Sequence, residues 1–264
     1  MTIGFIGCGN MAKAMIGGII ANGYVGASDI CVSAKTQTTL ENAAKTYGVK
    51  TFTENKDVAE AADILILAVK PAYMQEVIED IKESTKEHEI IVTLAPGKTL
   101  AWVKEQFGKE IKLVRTMPNT PAMVCEGMTG LCPNENVTDE EITLVKAIFD
   151  CFGKSEVVSE KLMDVVVGVS GSSPAYVYMF IEAMADAAVA DGMPRAQAYR
   201  FAAQAVLGSA KMVLETGLHP GVLKDQVCSP AGTTIEAVAV LEAEGFRGTV
   251  IDACRACVEK AKGC

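Results

Sequence analysis

Residues 3–12 read IGFIGCGNMA, a short apolar run followed by small residues at Gly7, Gly9 and Ala12. The spacing matches the G-x-G-x-x-G/A pattern and stands between a strand-like run and a helical pattern, as that pattern requires. Gly7 permits a tight turn, Gly9 lets the backbone approach a pyrophosphate, and Ala12 lets the helix pack closely on the strand. A simple tight turn is the competing interpretation, but the context favours a loop that binds the phosphates of a dinucleotide.

The rest of residues 1–159 continues this alternation of apolar runs and helical patterns. The runs are continuously apolar, which is typical of strands covered on both faces. We therefore expect an α/β fold, with a Rossmann-type parallel sheet between helices. The predicted strands are Ile3–Ile6, Asp29–Ser33, Ile64–Val69, Ile90–Leu94 and Ile111–Thr116, and the predicted crossover helices are Met11–Asn22, Thr38–Tyr47 and Pro71–Glu83.

After residue 160 the strand signal disappears and long helical patterns replace it. They predict an all-α domain over residues 160–264, following the NAD(P)-binding Rossmann domain of residues 1–159. The predicted helices are Pro174–Ala190, Pro194–Thr216, Gly221–Val227, Thr234–Glu244 and Phe246–Lys262.

The helical pattern Pro174–Ala190 is apolar almost all round, and Glu182 and Asp186 are its only charges. Such a helix is either a central core helix or part of a subunit interface. Hydrophobic residues make up 50% of the chain and the mean hydropathy is +0.25, so a monomer would leave much apolar surface exposed. We therefore expect the helical domain to form a homodimer.

The charge and hydropathy patterns exclude several classes of partner. The net charge of −9, without a basic block interleaved with aromatic residues, argues against nucleic acid. No apolar stretch reaches the roughly eighteen residues of a membrane span. The first strand begins beside Met1 and leaves no room for a leader segment, so we expect a cytoplasmic protein.

The nine cysteines do not form a recognisable metal-binding pattern. Cys254 and Cys257 form one C-x-x-C pair inside a helical pattern, without a second pair or a nearby histidine. Helix packing is therefore preferred to a metal or redox role for this pair, and no metal is predicted.

The end of the second predicted strand bears on the choice of cofactor. An acidic residue there usually binds the ribose 2′-hydroxyl of NAD, whereas this chain has Ser33, Ala34, Lys35 and Thr36. Hydroxyls and a cation suit a 2′-phosphate, so Ser33 and Lys35 predict a preference for NADPH, with NADH as the second cofactor. A solvated surface lysine is the alternative interpretation of Lys35.

Two further motifs follow predicted strands, AVKP at residues 68–71 and RTMPNTP at residues 115–121. Ligands of an open parallel sheet bind outside the carboxyl ends of its strands, so Lys70 and Asn119 are expected on the cofactor side. Pro71 as the first residue of a helix and Asn119 as a turn former explain the same residues without a ligand.

Residues 223–237 read LKDQVCSPAGTTIEA, a loop of small residues directly before a helix. Free N–H groups at the helix start, with the hydroxyls of Ser229, Thr233 and Thr234, suit a carboxylate ligand. The alternative is that Thr233 serves only as the N-cap of that helix.

The glycine loop, AVKP, MPNTP, the SGSSPAY segment at residues 170–176 and SPAGTT occur in this order along the chain. Together they resemble the pyrroline-5-carboxylate reductase family over essentially the whole sequence. The resemblance implies reduction of the cyclic imine pyrroline-5-carboxylate to L-proline with NADPH or NADH. It also implies a helical domain that builds dimers, a decamer as the larger assembly, and an active site between subunits.

The resemblance also implies which residues bind the ligands. Departures from the family pattern are Ser173 and Ala231, where glycine is usual, Thr233 in place of alanine, and Gln226 in place of asparagine. The implied substrate contacts are Glu160, Thr233 and Thr234, with Ser229, Ala231 and Gly232 in the same loop. The implied cofactor contacts are Ile6, Gly7, Cys8, Gly9, Asn10, Met11, Ser33, Asn55, Ala68, Val69, Lys70, Pro71, Leu94, Ala95 and Pro96.

Thr234 is the predicted catalytic residue, because its hydroxyl can orient the imine nitrogen or relay a proton while hydride reaches the carbon. Of the two histidines, His219 precedes Pro220 and is better explained by helix capping than by catalysis. One alternative is a β-hydroxyacid dehydrogenase, for which Lys211 and Lys224 are the internal candidates for a catalytic lysine. The other is a protein that senses NADPH without catalysis.

Overall fold

Eight strands form one sheet in the described part of the chain. The computed structural model describes residues 1–94 and 96–263, so the predicted cofactor contact Ala95 lies outside the described residues. The strands in this part of the chain are β1 (Ile3–Ile6), β2 (Ile30–Ser33), β3 (Lys50–Phe52), β4 (Ile64–Leu67), β5 (Ile90–Thr93), β6 (Lys112–Met117), β7 (Gly127–Pro133) and β8 (Gly153–Val157).

The strands form one sheet in the order β3-β2-β1-β4-β5-β6-β7-β8. β1 to β6 are parallel, which confirms the five predicted strands and the Rossmann-type arrangement. β7 runs antiparallel to β6, and β8 is parallel to β7, so the sheet has an antiparallel edge that the sequence analysis did not predict. The connection between β6 and β7 contains no long crossover helix, and a short connection returns the chain antiparallel.

Helices cover both faces of the sheet, as predicted. α1, α2 and α6 pack on one face, around Phe5, Ile16 and Phe149, and α3, α4 and α5 pack on the other. Pro71–Tyr73 forms a 3-10 turn before α4, where the sequence predicted one continuous helix. The helices are α1 (Asn10–Asn22), α2 (Gln37–Tyr47), α3 (Asn55–Ala61), α4 (Met74–Ile81), α5 (Leu100–Phe107), α6 (Asp139–Phe149) and α7 (Met163–Val166), and α7 continues into a π-helical segment over Val167–Gly171.

The chain falls into two compact units, Met1–Ser172 with Cys257–Cys264, and Ser173–Ala256. The boundary after Ser172 lies later than the predicted boundary between residues 159 and 160. Residues 160–172 group with the sheet because Met163 is buried and Arg115 binds Glu160.

The second unit is built from helices, which confirms the predicted helical character of this region. Little of its apolar surface is buried: Met179 is 70% exposed and Leu214 is 82% exposed, whereas Ala185, Ala198 and Ala202 are small buried residues. Apolar surface of this extent marks an interaction site. Its helices are α8 (Ser173–Ala190), α9 (Arg195–Thr216), α10 (Pro220–Val227), α11 (Thr233–Ala243) and α12 (Phe246–Lys262), whose last residues group with the first unit.

Among the helices of residues 1–94 and 96–263, none has the length and apolar character needed to cross a bilayer.

Candidate active site

The glycine loop lies at the carboxyl end of β1, where the connections of the sheet change direction between β1 and β4. Gly7 has φ +93°, and a Cβ added there would lie 2.7 Å from the carbonyl oxygen of Ala68. Its N–H donates to the carbonyl oxygen of Ser33 at 3.0 Å, which ties the loop to the end of β2. Any residue other than glycine would therefore displace this loop.

The start of α1 is open to an anion. Gly9 is the N-cap residue, and no side chain caps the helix. A Cβ added at Gly9 would meet no protein atom within 4 Å, so a ligand can approach the backbone here. The free N–H groups of the first turn and the positive end of the helix dipole fit a pyrophosphate.

A cavity of about 450 Å³ extends from this loop across the ends of β2 and β4. Its volume falls in the usual range for cofactor pockets. The predicted contacts that line it are Ile6, Gly7, Cys8, Gly9, Lys35, Asn55, Ala68, Val69 and Lys70. The lining also contains Ala34 and Thr36, which the sequence places on either side of Lys35, and five residues that were not predicted: Thr39, Thr53, Tyr73, Glu76 and Val77.

Ser33 does not face this cavity. Its side chain is fully buried, and its hydroxyl donates to Oδ1 of Asn55 at 2.8 Å. Asn55 in turn donates from Nδ2 to Oδ2 of Asp80 at 3.1 Å, so both polar groups of its amide are held. Ser33 therefore positions Asn55, and its direct contact with the cofactor 2′-phosphate stays a prediction.

The exposed groups beside Ser33 gather at the start of α2. Thr36 caps this helix, because its Oγ1 accepts the N–H of Thr39 at 3.4 Å, and the two hydroxyl oxygens lie 2.8 Å apart. The Lys35 side chain is exposed and lies on the same cavity. Two hydroxyls, a cation and a helix N-terminus together suit a phosphate. The capping signal of a threonine before a helical pattern could have identified Thr36 from the sequence.

Asn119 has a structural role that the sequence analysis did not foresee. Its Nδ2 donates to the carbonyl oxygen of Ser170 at 3.0 Å, and its Oδ1 accepts the N–H of Met128 at 2.8 Å. With both groups bound to backbone and the side chain buried, Asn119 crosslinks two segments and does not line the cofactor cavity. Its contact with the cofactor stays a prediction.

Other predicted cofactor contacts also lie away from the lining of this cavity. Asn10 lines a separate cavity with Lys13, Tyr47 and Cys125. The remaining predicted contacts in the described residues that do not line the cofactor cavity are Met11, Pro71, Leu94 and Pro96.

Glu160 binds protein groups on the first unit. Its Oε1 accepts the N–H of Leu100 at 2.7 Å and Nη1 of Arg115 at 3.1 Å. Arg115 lies within β6 with its side chain almost fully buried, and Nη2 lies 3.9 Å from Oδ1 of Asp164. Glu160 therefore fixes the start of α5, next to the loop that follows β5. Its contact with the substrate stays a prediction, and the sequence does not show these partners from distant parts of the chain.

The loop before α11 brings Ser229, Ala231, Gly232, Thr233 and Thr234 together. Gly232 is the N-cap residue and no side chain caps the helix, so the interpretation of Thr233 as the N-cap is wrong. Ala231 adopts φ 55°, a left-handed conformation that favours glycine, and Gly232 donates its N–H to the carbonyl oxygen of Ser229 at 3.0 Å. The free N–H groups of Thr233 and Thr234 suit a carboxylate.

His219 is a helix cap, as preferred from the sequence. Its Nδ1 accepts the N–H of Gly221 at 3.0 Å at the start of α10. Lys224, one of the two candidate catalytic lysines of the alternative enzyme class, is paired with Asp225 at 2.9 Å.

The cysteines of the glycine loop and of β2 are unreactive because of burial. Desolvation raises the pKa of the Cys8 thiol, and it raises the pKa of Cys31 to about 11, so both thiols stay protonated at neutral pH. Sγ of Cys257 lies 3.1 Å from the hydroxyl of Ser172. Across residues 1–94 and 96–263, no group of three or more metal-ligating side chains comes together.

Comparison with known families assigns both parts of the chain. Residues 160–264 match the family model for pyrroline-5-carboxylate reductase dimerisation, which together with the exposed apolar helices supports oligomerisation. Residues 2–97 match the model described as NADP oxidoreductase, coenzyme F420-dependent, and this agrees with a fold that binds NADP.

Similar proteins cover the whole length. The pyrroline-5-carboxylate reductase of Escherichia coli K12 is 54% identical, over 98% of this chain and 97% of its own length. A solved structure of the Coxiella burnetii enzyme is 38% identical with a TM-score of 0.93, covering 99% and 97% of the two chains. The Plasmodium falciparum pyrroline carboxylate reductase, solved with NADP bound, is 32% identical with a TM-score of 0.89, covering 100% and 97%. This chain therefore belongs to the pyrroline-5-carboxylate reductase family.

Proposed function

We propose that this protein reduces 1-pyrroline-5-carboxylate to L-proline with NADPH as the preferred donor and NADH as the second. The full-length relationship to a pyrroline-5-carboxylate reductase at 54% identity carries the proposal. Two uncapped helix starts support it, since α1 suits a pyrophosphate and α11 suits a carboxylate.

The first unit holds the cofactor in this proposal. N–H groups at the start of α1 bind the pyrophosphate, and Gly7 and Gly9 keep side chains out of its way. Lys35, Thr36 and Thr39 bind the 2′-phosphate, because they combine a cation with two hydroxyls at one edge of the cavity. When bound, NADPH supplies the hydride that reduces the imine carbon.

The second unit holds the substrate. The N–H groups of Thr233 and Thr234 bind the carboxylate, and Ser229 and Gly232 shape the turn before them. The Thr234 hydroxyl hydrogen-bonds the ring nitrogen, which carries a proton so that the carbon is electrophilic. Hydride adds to that carbon, the C=N π electrons become the nitrogen lone pair, and the product is a secondary amine. Glu160 is proposed as a positioning residue that holds the start of α5.

The alternatives have weaker support. A β-hydroxyacid dehydrogenase needs a catalytic lysine in the helical region, and Lys224 is paired with its neighbour Asp225. A protein that only senses NADPH has no need of the loop before α11.

Mixing the purified protein with pyrroline-5-carboxylate and NADPH or NADH tests the proposal, with loss of reduced-nicotinamide absorbance as the readout. Proline must appear in the amount of NADPH consumed. Binding of NADPH without turnover would favour the sensing protein and reject the reductase.

The proposed assembly is a homodimer, and a decamer of five dimers is the proposed larger form. The exposed apolar side chains of α8 and α9 support association. A cytoplasmic location is also proposed, supported by the free thiols of the eight described cysteines, which suit a reducing compartment.

A further inference from the structure

Lys35 and Tyr73 meet at the edge of the cofactor cavity. Lys35 follows β2, and Tyr73 ends the 3-10 turn that follows β4. The ammonium nitrogen of Lys35 lies 5.3 Å from the centre of the Tyr73 ring, over its face. This is within the range of a cation–π contact, so the two loops are joined across one end of the cavity.

The fold does not require an aromatic ring at Tyr73. The side chain is 47% exposed and is not part of either hydrophobic core cluster of the sheet. Its backbone is set independently, because its N–H donates to the carbonyl oxygen of Lys70 at 2.9 Å. A partly exposed ring on a cavity wall is an available binding surface.

The position of Lys35 identifies the part of the cofactor that passes this ring. In a Rossmann fold the adenosine ribose lies at the carboxyl end of the second strand, directly before Lys35. Tyr73 therefore borders the adenosine end of the cavity. Val69 and Val77 line the same cavity and give it the apolar character that a purine base requires.

We propose that Tyr73 is a positioning residue that stacks against the adenine ring of the cofactor. Aromatic side chains bind bases through their π faces, whichever groups the base carries. Adenine reaches this face when the Lys35 ammonium leaves it, and a 2′-phosphate beside the base is a stronger partner for that ammonium than an aromatic ring. Tyr73 thus contributes to binding of both NADPH and NADH, whereas Lys35 distinguishes them.

The inference rests on the proposed cofactor site, and binding of cofactor fragments tests it without turnover. Calorimetry measures the Kd of 2′,5′-ADP and of 5′-AMP for the full-length protein. Tyr73→Ala should weaken both fragments roughly tenfold, the effect of losing one base–aromatic stack. Tyr73→Phe keeps the ring and should bind both fragments like the wild type. Lys35→Ala should weaken only 2′,5′-ADP.

Tyr199→Ala is the matched control. Tyr199 is another partly exposed tyrosine whose ring has a cation over it, Arg195 at 5.5 Å, and it lies on α9 of the second unit. This variant should bind both fragments normally.

Unchanged binding of both fragments by Tyr73→Ala, or weakening of 2′,5′-ADP alone, would overturn the stacking role. If the wild type bound neither fragment, the assignment of this cavity as the cofactor site would be wrong, and the stacking role would fall with it. If the wild type bound both fragments normally but did not turn over pyrroline-5-carboxylate, the proposed reaction would be rejected. The stacking role of Tyr73 would then still stand.

Discussion

Ser33 donates its hydroxyl proton to Oδ1 of Asn55 at 2.8 Å, so its side chain has a structural role at the end of β2. Ser33 is buried and holds Asn55 against the cavity wall, whereas Lys35 two residues later is exposed on that cavity. Substitution of Lys35 should therefore change the selectivity between NADPH and NADH, whereas substitution of Ser33 should change the free energy of unfolding.

Lys35→Ala should raise the KM for NADPH about tenfold and change the KM for NADH little, because the lost partner is a charge-assisted hydrogen bond to the 2′-phosphate. The difference should shrink at high salt, since Lys35 is exposed and screened. Steady-state kinetics with both cofactors measures this. Lys45→Ala removes an exposed charge from the last turn of α2 and is the control. Equal changes for the two cofactors would count against the assignment.

Ser33→Ala should lower the free energy of unfolding by about 1–3 kcal/mol, because Oδ1 of Asn55 loses its donor at a partly buried site. The KM values for NADPH and NADH should rise by the same factor, because both cofactors bind in the cavity whose wall contains Asn55. Chemical denaturation and steady-state kinetics measure the two effects. A selective loss of NADPH binding would instead support Ser33 as a direct contact of the 2′-phosphate.

Thr234→Ala should lower kcat/KM for pyrroline-5-carboxylate by about 1.5–3 kcal/mol of transition-state stabilisation, the range for hydrogen bonds to charged groups. NADPH affinity and Tm should stay near wild type, because Gly232 rather than Thr234 is the N-cap of α11. Kinetics, calorimetry and thermal melts separate these quantities. Thr46→Ala, at an exposed position on α2, is the control. Wild-type kcat/KM in the Thr234 variant would remove it from the mechanism.

Glu89 should make stability depend on pH. The side chain is buried just before β5, Oε1 has no hydrogen-bond partner, and desolvation raises its pKa to about 7. The unfolded chain releases this proton near pH 4.5 and the folded chain near pH 7, so this group lowers stability progressively between those values. The whole effect is about 3 kcal/mol above pH 7.

Glu89→Gln removes this titration. The variant should be more stable than wild type at pH 8 by about 1–3 kcal/mol, with little difference near pH 4.5. Urea denaturation across this pH range measures it, with Glu87→Gln at an exposed neighbouring position as the control. A constant difference between wild type and Glu89→Gln at all pH values would show that Glu89 does not titrate in this window.

Association should be obligate, because Leu214 and Met179 are largely exposed in a unit with few buried residues. Sedimentation at low micromolar concentration should detect no folded monomer, and Tm should rise with protein concentration. An active monomer with a Tm independent of concentration would contradict the expected homodimer.

The sequence predicts the elements whose signals are local. The five strands found in advance are apolar runs buried on both faces, and the glycine loop is a backbone geometry that few residues allow. β3 is short and partly exposed, whereas β7 contains two glycines and a proline, so neither shows a clear strand pattern.

Within the site, the sequence does not show which side-chain partners come from distant parts of the chain. Asn119 is held by Ser170 and Met128, and Glu160 is held by Leu100 and Arg115. The motif around each residue is visible in the sequence, but the partner depends on how the chain folds back on itself. The direction of Ser33 at the end of β2 is likewise fixed by packing against Asn55.

The sparse core of the second unit also bears on how the protein is made. The nucleotide-binding strands come first along the chain and bury their apolar residues within it, so they can fold as soon as they are synthesised. In the proposed homodimer, helices α8 to α12 would gain from the second copy the burial that they lack in one chain, and completion of the fold would then be a second-order event. Before that encounter these helices would be open to proteases and chaperones, so the lifetime of a newly synthesised chain should depend on its concentration.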